Sequence, residues 1–182
     1  MTEQQHRAVY LLILGWMQQT LAEHAAAARP VASLGFSRLP HYYDERMLAS
    51  AKVVVVANVP VPPLSAMGLA GLGAFERMEM GGITFFDSYF VRADLAEVES
   101  LHFHELVHVV QWRALGSEKF LACYADGLER FGYMRSPLEL MAFRLQRRFE
   151  REAEPFSVEV ACQKPLREMA SSEGRAAHLG RA

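Results

Sequence analysis

The sequence predicts an α+β protein, mostly helical, with a small β-sheet packed beside one helix that carries the candidate chemistry. Three observations predict it. Over most of the chain, apolar residues recur at helical spacing. Two short runs, 52–59 and 83–92, are instead dense in β-branched and aromatic residues. Finally, 182 residues of which 51% are hydrophobic suit one folding unit with a sizeable core, expected over 1–162.

The first helix is expected over 3–28. Val9, Leu12, Ile13 and Trp16 share one helical face, and Pro30 ends the helix by restricting the residue before it. Its apolar stretch, 8–17, is about half the length that a membrane-spanning helix needs, so no transmembrane segment is expected. His6 and Arg7 before this stretch and Ala25-Ala26-Ala27 after it also suit a secretory signal segment. The polar Gln18-Gln19-Thr20 favours a helix packed on the domain and a cytoplasmic chain, with secretion as the alternative.

An aromatic loop follows, in which His41, Tyr42, Tyr43 and Asp44 read as the start of a helix with Asp44 near its first turn. The run KVVVVANV at 52–59 is too short and too apolar to be exposed on both faces. It is expected as a central strand stopped by Pro60, Pro62 and Pro63. Glycine-rich 67–73 lacks the Gly-Lys-Ser/Thr ending of a phosphate loop and reads as a flexible turn. After Gly81-Gly82, ITFFDSYFVR at 83–92 is expected as one strand.

A helix from 93 or 94 to 115, stopped by Gly116, comes next, and another is expected over 118–130. A third opens at Ser136-Pro137, as cap and first turn. FSVEVAC at 156–162 is read as a further strand. Residues 163–182, rich in Ala, Ser, Gly, Glu and Arg, are expected as a mobile tail.

A formal net charge of -2 with no dense Lys/Arg block gives no electrostatic basis for a nucleic-acid partner. Arg144, Arg147 and Arg148 alternate with Leu140, Met141, Leu145 and Phe149, as on the solvated face of a helix. Cys123 and Cys162 are too few and too far apart for a CxxC pair or a disulfide framework. They read as inert thiols, and a reducing compartment suits them.

The chemistry concentrates in LHFHELVHVVQW. At about 100° per residue, His104 and His108 fall about 40° apart on a helix, so both imidazoles can point at one ion. Glu105 lies beside them, where it can take a proton from a water instead of ligating. The competing reading is an amphipathic helix that carries two histidines on a wet face. His102 sits about 160° from His104 and is expected as a hydrogen-bonded, partly buried histidine.

Two histidines do not complete a site; a catalytic zinc takes three protein ligands and leaves a position for water. Among the later acids, Glu129 projects away from the apolar side formed by Phe120, Leu121, Tyr124 and Leu128, and is expected in solvent. Glu139 lies between Ala142 and Phe143 near an apolar edge and faces inward. A buried carboxylate needs a partner, and one Zn2+ ion would supply it. Without a metal, Glu139 at this position would complement the helix dipole.

HELVHVVQ at 104–111 followed by SPLELMA at 136–142 resembles the gluzincin group of zinc metallopeptidases, whose pattern is HExxH on one helix and a Glu ligand on a later one. It looks most like the small minigluzincin domains and the peptidase domain of contractile injection systems, over roughly residues 80–150. The resemblance implies a zincin-like fold, His104, His108 and Glu139 as ligands, Glu105 as general base, and a strand near 83–91 lining the cleft. The expected activity is zinc-dependent hydrolysis of a peptide or protein substrate, with Tyr133, just before the Glu139 helix, as donor to the developing oxyanion. The alternative is a catalytically inactive zincin-fold protein that binds metal and acts as an interaction module.

Overall fold

The computed structural model describes residues 2–152 and 154–179. In chain order the elements are α1 (Glu3–Glu23), β1 (Arg29–Pro30), α2 (Glu45–Ser50), β2 (Lys52–Val56), α3 (Gly73–Glu76), β3 (Gly82–Phe85), β4 (Ser88–Arg92), α4 (Glu99–Phe131), α5 (Pro137–Arg151) and α6 (Val158–Leu179). Helices dominate around one four-stranded sheet of order β1-β2-β4-β3, which is the α+β arrangement expected. Among the described residues, no helix is long and apolar enough to cross a membrane.

Helix α1 opens on a capping box, in which Gln5 N donates to Thr2 Oγ1 at 3.3 Å and Thr2 N donates to Gln5 Oε1 at 2.7 Å. It stops at Glu23 instead of 28, because Arg29 and Pro30 pair with Val53 and Lys52 of β2 and the residues between must turn. Pro30 is tolerated there because β1 is an edge strand. Ile13, Met17 and Thr20 form the buried side. Leu12, grouped with it by spacing, is exposed, as is Leu11. Asp44 is the N-cap of α2, accepting from Arg46 N at 2.7 Å, so the PHYYDE segment does begin a helix.

Strand β2 is interior as expected, antiparallel to β1 and parallel to β4, with Val54 opposite Phe90. The single strand expected over 83–92 is instead a hairpin. Phe85 pairs with Ser88, leaving Phe86 and Asp87 as a two-residue connection. Phe86 takes a φ of 60°, the sign that a primed hairpin turn demands at its first central position. Such a φ is unfavourable for a bulky side chain, and packing of the ring 4.9 Å from that of Trp112 offsets the cost.

Helix α4 has two arms that meet at Gly116, whose φ of 73° and ψ of 166° break the helix where the sequence places a stop. Its first arm is buried on all sides from 102 to 112. It packs on β3, α5 and α6, with Phe103 stacked 4.5 Å from Phe149 of α5. The segment 156–162 is not a strand: Val158, Cys162 and Leu166 recur every four residues and are buried, which is the stripe of helix α6. The expected tail from 163 is likewise helical to Leu179, and 180–182 lie outside the described residues.

Candidate metal centre

Glu99 accepts hydrogen bonds from the backbone N–H groups of Arg38 and Leu39, and Tyr43 Oη donates to Phe103 O at 2.7 Å. These contacts fix the start of α4 one turn before the motif. His104 and His108 then lie one turn apart, 4% and 5% exposed, so they are not histidines on a wet face. From α5, Glu139 enters the same space at 2% exposure. The structure therefore brings together the three predicted ligands as a buried His-His-Glu group able to hold a metal ion.

The His104 and His108 Nε2 atoms are 3.1 Å apart. Glu139 Oε2 is 3.3 Å from His104 Nε2, and Oε1 is 3.4 Å from His108 Nε2. An ion bonded at ~2.0–2.1 Å in tetrahedral geometry holds its donors about 3.3–3.4 Å apart, so these spacings suit one zinc-sized ion.

Hydrogen bonds behind the imidazoles set their tautomers. Gln111 Nε2 donates to Leu138 O at 2.9 Å, which turns Gln111 Oε1 toward His108 Nδ1, 2.8 Å away. Gln146 Nε2 donates to Glu150 Oε1 at 3.1 Å, which turns its Oε1 toward His104 Nδ1 at 3.0 Å. Both Nδ1 atoms must therefore carry protons, which leaves Nε2 as the atom each ring presents to the shared point. Two nitrogen lone pairs and a carboxylate facing one another in a buried space require a cation or a proton between them. Among the described residues, Glu139 Oε2 is one of only two buried side-chain oxygens without a hydrogen-bond partner; the other is Ser136 Oγ.

The electrostatics agree with this crowding. Burial alone would depress the His108 pKa, but the Glu139 carboxylate, together with Glu105 and Gln111, raises it to about 9. Burial likewise opposes ionisation of Glu139, yet the two histidines hold its pKa well below the usual carboxylate range. Burial raises the Glu105 pKa from its ordinary value, against the pull of His104, His108 and the Thr84 hydroxyl.

Glu105 is 3% exposed and accepts from Thr84 Oγ1 at 2.7 Å. It lies between two openings. On one side a largely apolar cavity of about 90 Å³ is bounded by Glu105, His108 and Glu139 and walled by residues such as Met17, Leu72 and Leu128. On the other, a groove of about 250 Å³ runs past Gly82, His104, Tyr133 and Phe143. Tyr133 lines both. Burial, then the charges of Glu139 and Glu105, push its pKa up, so its hydroxyl stays protonated.

The residues set aside by the sequence stand apart from the centre. His102 is fully buried, with Nδ1 2.8 Å from Tyr89 Oη and Nε2 2.9 Å from Ala96 O. Glu129 is exposed, as are Arg144, Arg147 and Arg148. Ser136 precedes α5 as expected but its hydroxyl makes no capping bond. Sequence reasoning missed Gln111, Gln146, Thr84 and Tyr124, whose Oη donates to Glu139 Oε1 at 2.6 Å. Gln111 alone carried a local signal, standing three residues after His108 on the same helical face. Comparison with models of protein families, with curated proteins and with solved structures returns no match.

Proposed function

We propose that the chain is a zinc-dependent metallopeptidase of zincin-like fold, acting on peptides or proteins that present an apolar side chain. The observation that carries this reading is the convergence of His104 Nε2, His108 Nε2 and the Glu139 carboxylate at 3.1–3.4 Å, next to a carboxylate that is not one of them. The local resemblance of HELVHVVQ and SPLELMA to gluzincins points the same way.

His104, His108 and Glu139 would hold the ion. When bound, zinc supplies Lewis-acid chemistry, lowering the pKa of a coordinated water toward ~7 and polarising a substrate carbonyl. Glu105, a carboxylate with a raised pKa, accepts the proton of the attacking water and returns it to the leaving amine. The water oxygen adds to the carbonyl carbon, the C–N bond breaks, and the balance is one acid and one amine. Tyr133, held protonated where it lines both openings, donates to the oxyanion. β3, an edge strand against α4, offers backbone groups to an extended substrate, and the apolar cavity accepts a side chain beside the scissile bond.

Zinc-loaded protein incubated with a library of fluorogenic peptides, beside its Glu105→Gln variant, tests the proposal. Cleavage by the parent, with a loss of about 100-fold or more in a variant that keeps its zinc, is the expected result. Equal cleavage by the two proteins, or zinc-loaded parent that cleaves no member of the library, contradicts it.

A further inference from the structure

We infer that Gly82 and Thr84 of β3 are positioning residues for Glu105, one making room for its carboxylate and the other holding it. The inference rests on the reading of Glu105 as the base and deepens it.

Thr84 Oγ1 lies 2.7 Å from Glu105 Oε2 and 3.1 Å from the Glu105 main-chain oxygen. A hydroxyl has one proton to give, and the shorter, charge-assisted contact to the carboxylate takes it. With Oε2 held in this way, Oε1 is turned toward the backbone of Gly82. A Cβ at residue 82 would stand 2.5 Å from Oε1 and 2.8 Å from the Glu105 carboxyl carbon. It would also stand 3.0 Å from Phe90 O, a backbone atom of the neighbouring strand, so β3 cannot simply shift to admit it. Glycine at 82 is therefore explained by the carboxylate it faces, because a turn or a positive φ is not what requires it.

The strand is in turn fixed to the helix that carries the base. Trp112 Nε1 donates to Thr84 O at 3.2 Å. Trp112 follows Glu105 by seven residues, about 20° away around the helix axis, so one face of α4 grips Thr84 by its hydroxyl and by its carbonyl. Thr84 is 7% exposed and Glu105 3%, and both border the same apolar cavity. A base carboxylate with one oxygen tethered by Thr84 and the other confined against Gly82 is fixed in position and orientation, which is the geometric control that proximity effects demand.

The test uses the full chain loaded with zinc, a cleaved fluorogenic peptide, and the variants Thr84→Val, Thr84→Ser, Gly82→Ala and Glu105→Gln. Thr84→Val removes the donor while preserving shape, and Thr84→Ser restores it. A fall of kcat by about 10–100-fold in Thr84→Val with KM and zinc content unchanged, and recovery to within a few-fold in Thr84→Ser, is expected. Gly82→Ala should lose kcat similarly while keeping zinc, which provides a second route should Thr84→Val fold poorly. A readout free of turnover is the side-chain carboxyl 13C signal of Glu105 in metal-free protein, identified by its loss in Glu105→Gln. It should move in Thr84→Val and return in Thr84→Ser. Parental kcat and an unmoved signal in Thr84→Val overturn the inference. If Glu105→Gln is inactive in that case, only the positioning role falls; if Glu105→Gln is fully active, the base reading falls and the inference with it.

Discussion

Gln111 joins the two helices of the candidate metal centre: its Oε1 accepts the Nδ1 proton of His108 at 2.8 Å while its Nε2 donates to Leu138 O at 2.9 Å. Leu138 immediately precedes Glu139, so a single buried amide sets the tautomer of one proposed ligand and the approach of another.

Replacing Gln111 by Leu should therefore weaken zinc binding about 10–100-fold without removing the site, because all three ligands remain but one imidazole loses its orienting partner. Competition against a chromophoric chelator measures this. An unchanged dissociation constant would show that Gln111 only packs.

Zinc binding should release protons. In metal-free protein His108, with a pKa raised to about 9, is protonated at pH 7, and that proton must leave when Nε2 becomes a ligand. Calorimetry in buffers of different ionisation enthalpy should find at least one proton released per zinc at pH 7, that of His108 together with part of one from the coordinated water. A release near zero at pH 7 would contradict the charge state.

The same pKa sets a stability trend in metal-free protein. A histidine whose folded pKa lies above its unfolded value contributes stability that is fully present below about pH 6.5 and is lost as pH rises through about 9. The Tm of metal-free protein should fall over that window, and zinc should suppress the fall. Parallel Tm curves with and without zinc between pH 6.5 and 9 would refute this.

Gly116→Ala should destabilise the fold by about 1–3 kcal/mol. Gly116 sits at φ 73°, ψ 166°, a region almost closed to other residues, while a Cβ there would meet nothing within 4 Å. The cost is therefore one of backbone conformation alone. Denaturant unfolding at unchanged m-value checks it, and a stability equal to that of the parent would mean that the kink is not required.

How much of this was legible in the sequence depended on how local each signal was. His104, Glu105 and His108 are readable because a helix repeats every 3.6 residues, and Glu139 because Pro137 marks a helix start and its neighbours are apolar. Gln146 and Thr84 reach the centre from 42 residues after His104 and 21 before Glu105, and no local pattern encodes such contacts. The hairpin at Phe86 was hidden because its turn contains no Gly or Asn to announce a positive φ. The β-branched, alternating run FSVEVAC imitated a strand and the Ala-, Ser- and Gly-rich composition after it imitated a tail, which together masked the Val158, Cys162 and Leu166 stripe of α6.

Metal analysis of tag-free protein, purified without chelator and repeated on His108→Ala and Glu139→Gln, tests the central claim most directly. The geometry predicts close to one zinc per parent chain, a dissociation constant weakened by orders of magnitude in both variants, and little change in helical content. Parent protein that binds no divalent ion even when zinc is supplied, or variants that bind it as tightly as the parent, would contradict a centre built from His104, His108 and Glu139.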